Sequence, residues 1–216
     1  MCSIEQLIER YSDLEPCRIH LQAAFSLLRE SLAQGGKLLV CGNGGSAADS
    51  EHIVGELMKG FMLPRPVPEA VRRKLVTLFP EKGNGLADHL QGALPAMSLV
   101  SQTALITAVS NDVDPEMVFA QQVYGYGRPG DTVIALSTSG NSNNVLQAVR
   151  VGRALGLHTL GLSGPGGALA TLCEVTICVP APTTADIQER HISIYHTLCA
   201  MLEQSFFGAQ AQHRST

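Results

Sequence analysis

The sequence has no tryptophan, and aromatic residues make up only 5% of it. That scarcity argues against the stacking platforms that hold single-stranded nucleic acids or flat sugar rings. Charge is also sparse: Asp, Glu, Lys and Arg together reach 16%, the net charge is −4, and no basic run exceeds Arg72-Arg73-Lys74. The electrostatic footprint of a nucleic-acid binder is missing, and acidic membrane surfaces are equally poor partners. No apolar stretch approaches the roughly 20 residues of a membrane span. The first ten residues interleave acidic and apolar side chains without a basic start or an apolar h-region, which reads against a secretory signal. The six cysteines (Cys2, Cys17, Cys41, Cys173, Cys178, Cys199) contain no CxxC pair, and at least three lie in apolar runs. They are expected to be free thiols in a reducing, cytoplasmic setting.

What is present is enough apolar material for a core: 45% of 216 residues. That length suits one α/β domain over 1–216 with extra helices. Residues 16–34 carry Ile19, Leu21, Ala24, Phe25, Leu28 and Leu32 at helical spacing, with Pro16 at the start and Gly35-Gly36 as the stop. Helical structure therefore fills much of 1–35 before the first strand, Lys37–Cys41, which breaks into Gly42-Asn43-Gly44-Gly45. Similar apolar runs at Met97–Ser101, Thr132–Ser137, His158–Ser163 and Glu174–Val179 read as further strands, and Ser142–Leu155 as a helix between two of them. Strands alternating with helices imply parallel pairing, so the expected fold is a three-layer α/β sandwich on a five-stranded sheet. In such sheets ligands sit beyond the carboxyl ends of the strands. The segment 67–94 is an insertion into this plan, and Leu75, Leu78 and Phe79 give its first half the pattern of a short amphipathic helix.

The turn Ser137-Thr138-Ser139-Gly140-Asn141-Ser142 places four hydroxyls between a buried strand and a helix N-terminus. One helix cap needs one hydroxyl. Four hydroxyls, together with the free N–H groups of a helix start, suit a phosphate monoester instead. Gly42–Ser46 lacks both the GxGxxG spacing and the lysine of a GxxxxGK[ST] loop, so nicotinamide cofactors and nucleoside triphosphates fit poorly. Ser46 and Asp49 match a capping box, which would make them simple helix starters. His52 and Glu56 are four apart and share a helix face. Taken alone, that face reads as solvated, but the helix springs from a candidate ligand turn. Of the polar residues entering the last helix, which starts near Thr184, His191 and Tyr195 read as hydrogen-bonded core side chains.

Five motifs now stand in order: Cys41-Gly-Asn-Gly-Gly-Ser46, His52-x-x-x-Glu56, Ser110-Asn-Asp112, Ser137-Thr-Ser-Gly-Asn-Ser142 and Ile187-Gln-Glu-x-His-x-x-x-x-His196. Together they resemble sugar isomerase (SIS) domains, and most of all the sedoheptulose 7-phosphate isomerase (phosphoheptose isomerase) family, over nearly the whole chain outside 67–94. The resemblance implies a flavodoxin-like sheet, a homotetramer with active sites at subunit interfaces, a small-molecule phosphosugar substrate and one zinc ion per subunit. It assigns His52, Glu56, Gln188 and His196 to zinc. Glu56 would be the base and His196 the acid of a ketose–aldose isomerisation. Asn43, Gly44, Gly45, Ser46, Asn111, Asp112, Glu56 and Gln188 would meet the sugar, and Ser137, Thr138, Ser139 and Ser142 its phosphate. Ligand and proton-transfer roles compete for the same side chains. Gln188 and His196, on one helix, are about 12 Å apart along its axis, so they reach one metal only by leaning together or from different protomers. Other SIS domains would imply a non-catalytic scaffold for a protein partner, or a sensor or processor of another phosphosugar.

The chain departs from the family pattern at three places. Gly60 stands where an arginine is common, Asp186 where a basic residue is common, and 67–94 is extra. The insertion is expected to act as a lid or to supply Arg72, Arg73 or Lys74 in place of that arginine.

Overall fold

A computed structural model describes residues 3–212, with side chains described through residue 209. Two helices, α1 (Ile4–Arg10) and α2 (Arg18–Ala33), precede β1 (Leu38–Cys41) and α3 (Gly45–Met58). The segment after α3 forms α4 (Glu69–Leu78) and α5 (Gly83–His89), and leads to β2 (Ala96–Ser98), α6 (Thr103–Asp112) and α7 (Val118–Tyr126). Then follow β3 (Thr132–Ser137), α8 (Asn143–Ala154), β4 (His158–Ser163), α9 (Leu169–Leu172), β5 (Val175–Cys178) and α10 (Thr184–Gln212). All four strand pairs are parallel and the order is β2-β1-β3-β4-β5. The order reverses between β1 and β3, which opens the crevice at the carboxyl ends of those two strands.

The three layers follow from alternation along the buried strands. Leu38 and Val40, with Ile134 and Leu136, face the cluster built on Leu28 of α2, Ile53 of α3 and Leu198 of α10. Leu39, Cys41, Val133 and Ala135 face the opposite cluster with Val123 of α7 and Val149 of α8. A Leu136→Ala change, at a fully buried position, costs about 2–5 kcal/mol in such a core. The described cysteines are all free thiols, and burial pushes Cys41 and Cys199 up to about 12; Cys2 lies outside the described residues. No helix among the described residues is long and apolar enough to cross a membrane.

Two local expectations are corrected. Pro16 lies inside a 3-10 turn, Ser12–Cys17, so the helix begins at Arg18. Ile19, at its first turn, is 75% exposed, while Leu27 joins the core. The stretch 67–94 is a helical hairpin, and its first helix, α4, falls where the amphipathic pattern was expected. Its base is closed by the bridge between Pro66 and Gln91 and by the Gly92 N–H donating to the Arg65 carbonyl. Arg72 is used inside that hairpin, paired with Asp88 and Asn84 of α5. Leu78 and Phe79 are exposed, so the apolar stripe of α4 is not buried within this chain.

Candidate active site

The rim of the sheet brings two glycine turns and a helix start together. Gly44, in the left-handed region at φ 56°, forms the N-cap of α3, with no side chain capping the helix. This corrects the capping-box expectation. Ser46 lies inside the helix, where its carbonyl accepts from the Ser50 hydroxyl, and Asp49 is buried against Tyr195. A Cβ on Gly45 would collide with the carboxamide of Gln188, so the glycine leaves the space in which Gln188 lies. Asn43 exchanges two side-chain hydrogen bonds with Asn144, 2.8 and 3.0 Å, tying the β1 turn to the first turn of α8.

In the hydroxyl-rich turn, Ser137 Oγ lies 2.9 Å from Ser142 Oγ and 3.5 Å from Ser139 Oγ. Ser142 occupies the N-cap of α8, yet its side chain makes no capping bond. The hydroxyls are therefore turned on one another, and the simple capping role does not account for them. Gly140, at φ 66°, lets this turn lie against Gly166 and Gly167 of the next one, and the Ala168 N–H donates to Asn141 Oδ1. Thr138 is half-buried and Ser139 exposed.

A second cluster stands farther along α3. His52 Nε2 is 3.1 Å from Glu56 Oε1 and 3.4 Å from His196 Nε2 of α10. These three residues offer ligand atoms all within 4.8 Å of one another. Glu56 Oε2 is buried with no hydrogen-bond partner. Two imidazole nitrogens facing each other beside a carboxylate, one oxygen of which is orphaned, fit a divalent cation with nitrogen and oxygen preferences. Burial and the neighbouring His52 lower the His196 pKa, partly offset by Glu56.

Behind His52 stands a buried chain. Tyr195 donates to Asp49 Oδ1 at 3.2 Å and lies 2.9 Å from His52 Nδ1. Burial raises the Asp49 pKa, opposed by Tyr195 and His52, while burial and Asp49 raise that of Tyr195. His191 is fully buried beneath the end of β4, with Nε2 3.4 Å from the Ser163 carbonyl and Nδ1 unpartnered; burial lowers its pKa to about 4.

Within one chain the candidates form two groups. Gln188 is beside Gly45, seven residues before His52 on α3, and so about 10 Å along the helix from the His52–Glu56–His196 cluster. Asn111 and Asp112, exposed at the end of α6, bond to each other at 2.7 Å. The sequence reading missed Asn144 and Asp49 as organisers of the site. Asn144 was legible only as one more polar residue after the turn, and Asp49 was absorbed by the capping-box pattern.

Sheet order, glycine turns and cluster together define a class of protein, the SIS domains, and a family model described as "SIS domain" matches residues 3–75 and 73–164. Relatives narrow this further. The phosphoheptose isomerase of Solidesulfovibrio magneticus is 39% identical over 189 residues, 88% of this chain and 80% of that protein. The structure of phosphoheptose isomerase GmhA from Neisseria gonorrhoeae matches at TM-score 0.67 and 30% identity, over 93% of this chain and 98% of that one. A phosphoheptose isomerase from Francisella tularensis matches at TM-score 0.70 and 28% identity, over 94% and 100%. The chain belongs to the phosphoheptose isomerase family, a group of phosphosugar isomerases within the SIS domains.

Proposed function

We propose that this protein converts sedoheptulose 7-phosphate to D-glycero-D-manno-heptose 7-phosphate, a precursor for nucleotide-activated heptose and cell-surface polysaccharide. The observation that carries this reading is the cluster itself: a carboxylate and an imidazole from two helices meet within hydrogen-bonding range of His52. Substrate and product are isomers, so no oxidant is needed. Glu56 takes a proton from C1 beside the C2 carbonyl, giving an enediolate. His196 returns a proton to C2 while the hydroxyl hydrogen passes from O1 to O2. Each proton-transfer group of this kind contributes about 10²–10⁴-fold.

The hydroxyl turn Ser137–Ser142 and the start of α8 hold the distal phosphate, whose binding energy orients the reacting end. Asn43, Gly44, Gly45, Ser46, Asn111 and Asp112 contact the sugar in this reading. His52, Glu56 and His196, with Gln188, hold the metal, assigned as zinc. When bound, zinc supplies Lewis-acid polarisation of a carbonyl oxygen. The placement of Gln188 beside Gly45, away from the other three, supports a site completed across a subunit interface in a homotetramer.

Proton NMR of the purified protein with sedoheptulose 7-phosphate tests the assignment, with chelator-treated and zinc-restored samples alongside. Aldose anomeric signals are expected in the untreated and restored samples. A folded, metal-replete protein that produces none would sink the assignment of this substrate.

A further inference from the structure

Arg65 and Glu203 form an ion pair with both side chains fully buried, Nε to Oε1 2.7 Å. Among the described residues, the pair's other hydrogen bonds all go to backbone groups. Arg65 Nη1 donates to the Leu57 carbonyl at 2.7 Å and Nη2 to the Glu56 carbonyl at 3.0 Å, two groups that the end of α3 leaves without helical partners. Glu203 accepts from the amides of Phe61 (2.8 Å), Met62 (2.7 Å) and Leu63 (3.1 Å). The guanidinium lies 4.9 Å from the centre of the Phe207 ring. A buried charge pair carries a desolvation cost that an apolar pair of similar volume avoids, so its presence points to a positional task.

Both ends of the pair lead to the proton-transfer residues. Glu56 is one of the two residues whose carbonyls Arg65 holds. Glu203 follows His196 by seven residues, two turns along the same face of α10. Phe61, whose amide Glu203 fixes, presents its ring 5.5 Å from the His196 imidazole. We propose that Arg65 and Glu203 are positioning residues that set the reach between Glu56 and His196 by pinning the last turn of α3 and the following loop to α10. The proposal rests on the isomerase reading above, in which those two side chains exchange protons with substrate. Five residues after Gly60, which stands in place of an arginine, Arg65 brings a guanidinium to the α3 carbonyls and to Glu203.

The test compares full-length R65M, R65K and E203Q with wild type and with L157A, a core truncation at the opposite end of the sheet. Steady-state rates with sedoheptulose 7-phosphate are corrected for folded fraction by circular dichroism, and binding of cobalt(II) alone is followed by visible absorption. A misplacement near 1 Å predicts that kcat per folded molecule falls about 10- to 100-fold in R65M and E203Q. KM is expected to stay within about two-fold, because the pair does not touch the phosphate turn, and R65K is expected to recover part of the loss. The cobalt spectrum of these variants shifts, whereas L157A keeps wild-type kcat and spectrum. Folded R65M with wild-type kcat and cobalt spectrum overturns the proposal, and so does a loss no greater than that of L157A. If R65M does not fold, E203Q, close in shape and still able to accept hydrogen bonds, carries the decision by the same criteria. An inactive wild type would overturn the substrate assignment instead, and the cobalt spectra would still decide the positioning role.

Discussion

The hydroxyl of Tyr195 stands 2.9 Å from Nδ1 of His52, so the tyrosine on α10 fixes the rotation of an imidazole on α3. The same hydroxyl donates to Asp49, so it is placed to accept a hydrogen from His52 Nδ1, the tautomer in which Nε2, facing Glu56 and His196, can bind a cation. Partners of this kind commonly tune metal affinity by about 10–100-fold. Tyr195→Phe is expected to weaken zinc binding by about that factor, read by competition with a chromophoric chelator. It also strips buried Asp49 of its tyrosine partner, at a cost of about 1–3 kcal/mol in denaturant unfolding. Unchanged zinc affinity would remove Tyr195 from the site.

Glu56→Gln separates chemistry from folding. Glu56 lies with Oε1 3.1 Å from His52 Nε2, and a carboxamide keeps the size of the carboxylate, so on the proposed assignment the variant is expected to stay folded while kcat drops about 10²–10⁴-fold. Deuterium exchange from solvent into the sugar, followed by NMR, drops in parallel. Retained exchange would hand the role of base to another group.

On the proposed assignment, Ser139→Ala and Ser142→Ala act on the phosphate end. Each would remove a hydrogen bond to a charged group worth about 1.5–3 kcal/mol, so KM for the phosphosugar and the inhibition constant of inorganic phosphate are expected to rise at least about ten-fold. The Ser142 hydroxyl bonds only to Ser137 Oγ in this turn, so the fold survives its loss. A fall in kcat at unchanged KM would instead place these hydroxyls at the reacting end.

His191 makes stability pH-dependent. Its pKa in the fold is about 4, lowered by burial and opposed by the Ser163 carbonyl, against about 6.5 when unfolded. The unfolded chain binds a proton in this window and the native chain does not, so stability is lost as pH falls from 6.5 towards 4. Between pH 7 and 5 the contribution is about 2 kcal/mol. His191→Leu is expected to flatten that slope in urea titrations at the two pH values; an equal slope in both proteins would assign the acid sensitivity elsewhere. The Ser163 carbonyl keeps its bond from the Val179 amide in this variant.

Much of the architecture was legible because buried parallel strands are nearly continuous apolar runs: Thr132–Ser137 and His158–Ser163 begin and end where the residues do. The i,i+4 spacing of His52 and Glu56 was equally readable, and so was the helix start at Ser142. Periodicity misplaced Ile19, since Pro16 is absorbed in a 3-10 turn and the helix begins two residues later. The capping-box pattern failed at Ser46 because Gly44 supplied a left-handed N-cap that no side chain needed to satisfy. What local pattern could not show were partners remote in the chain: Tyr195 meets Asp49 across 146 positions, and Arg65 meets Glu203 across 138. No motif spacing encodes such pairs. They arise only when α3 and the loop after it pack against α10.

α10 carries Gln188, His191, Tyr195, His196 and Glu203 on one unbroken rod. Each residue on it advances about 1.5 Å and turns about 100°. A single inserted residue between Gln188 and Glu203 would therefore swing everything beyond it about a quarter-turn out of phase, however mild its side chain. The hairpin α4–α5, closed at its base, bears no such burden. This helix behaves as a camshaft: its lobes tolerate reshaping one at a time, while their timing depends on the length of the shaft.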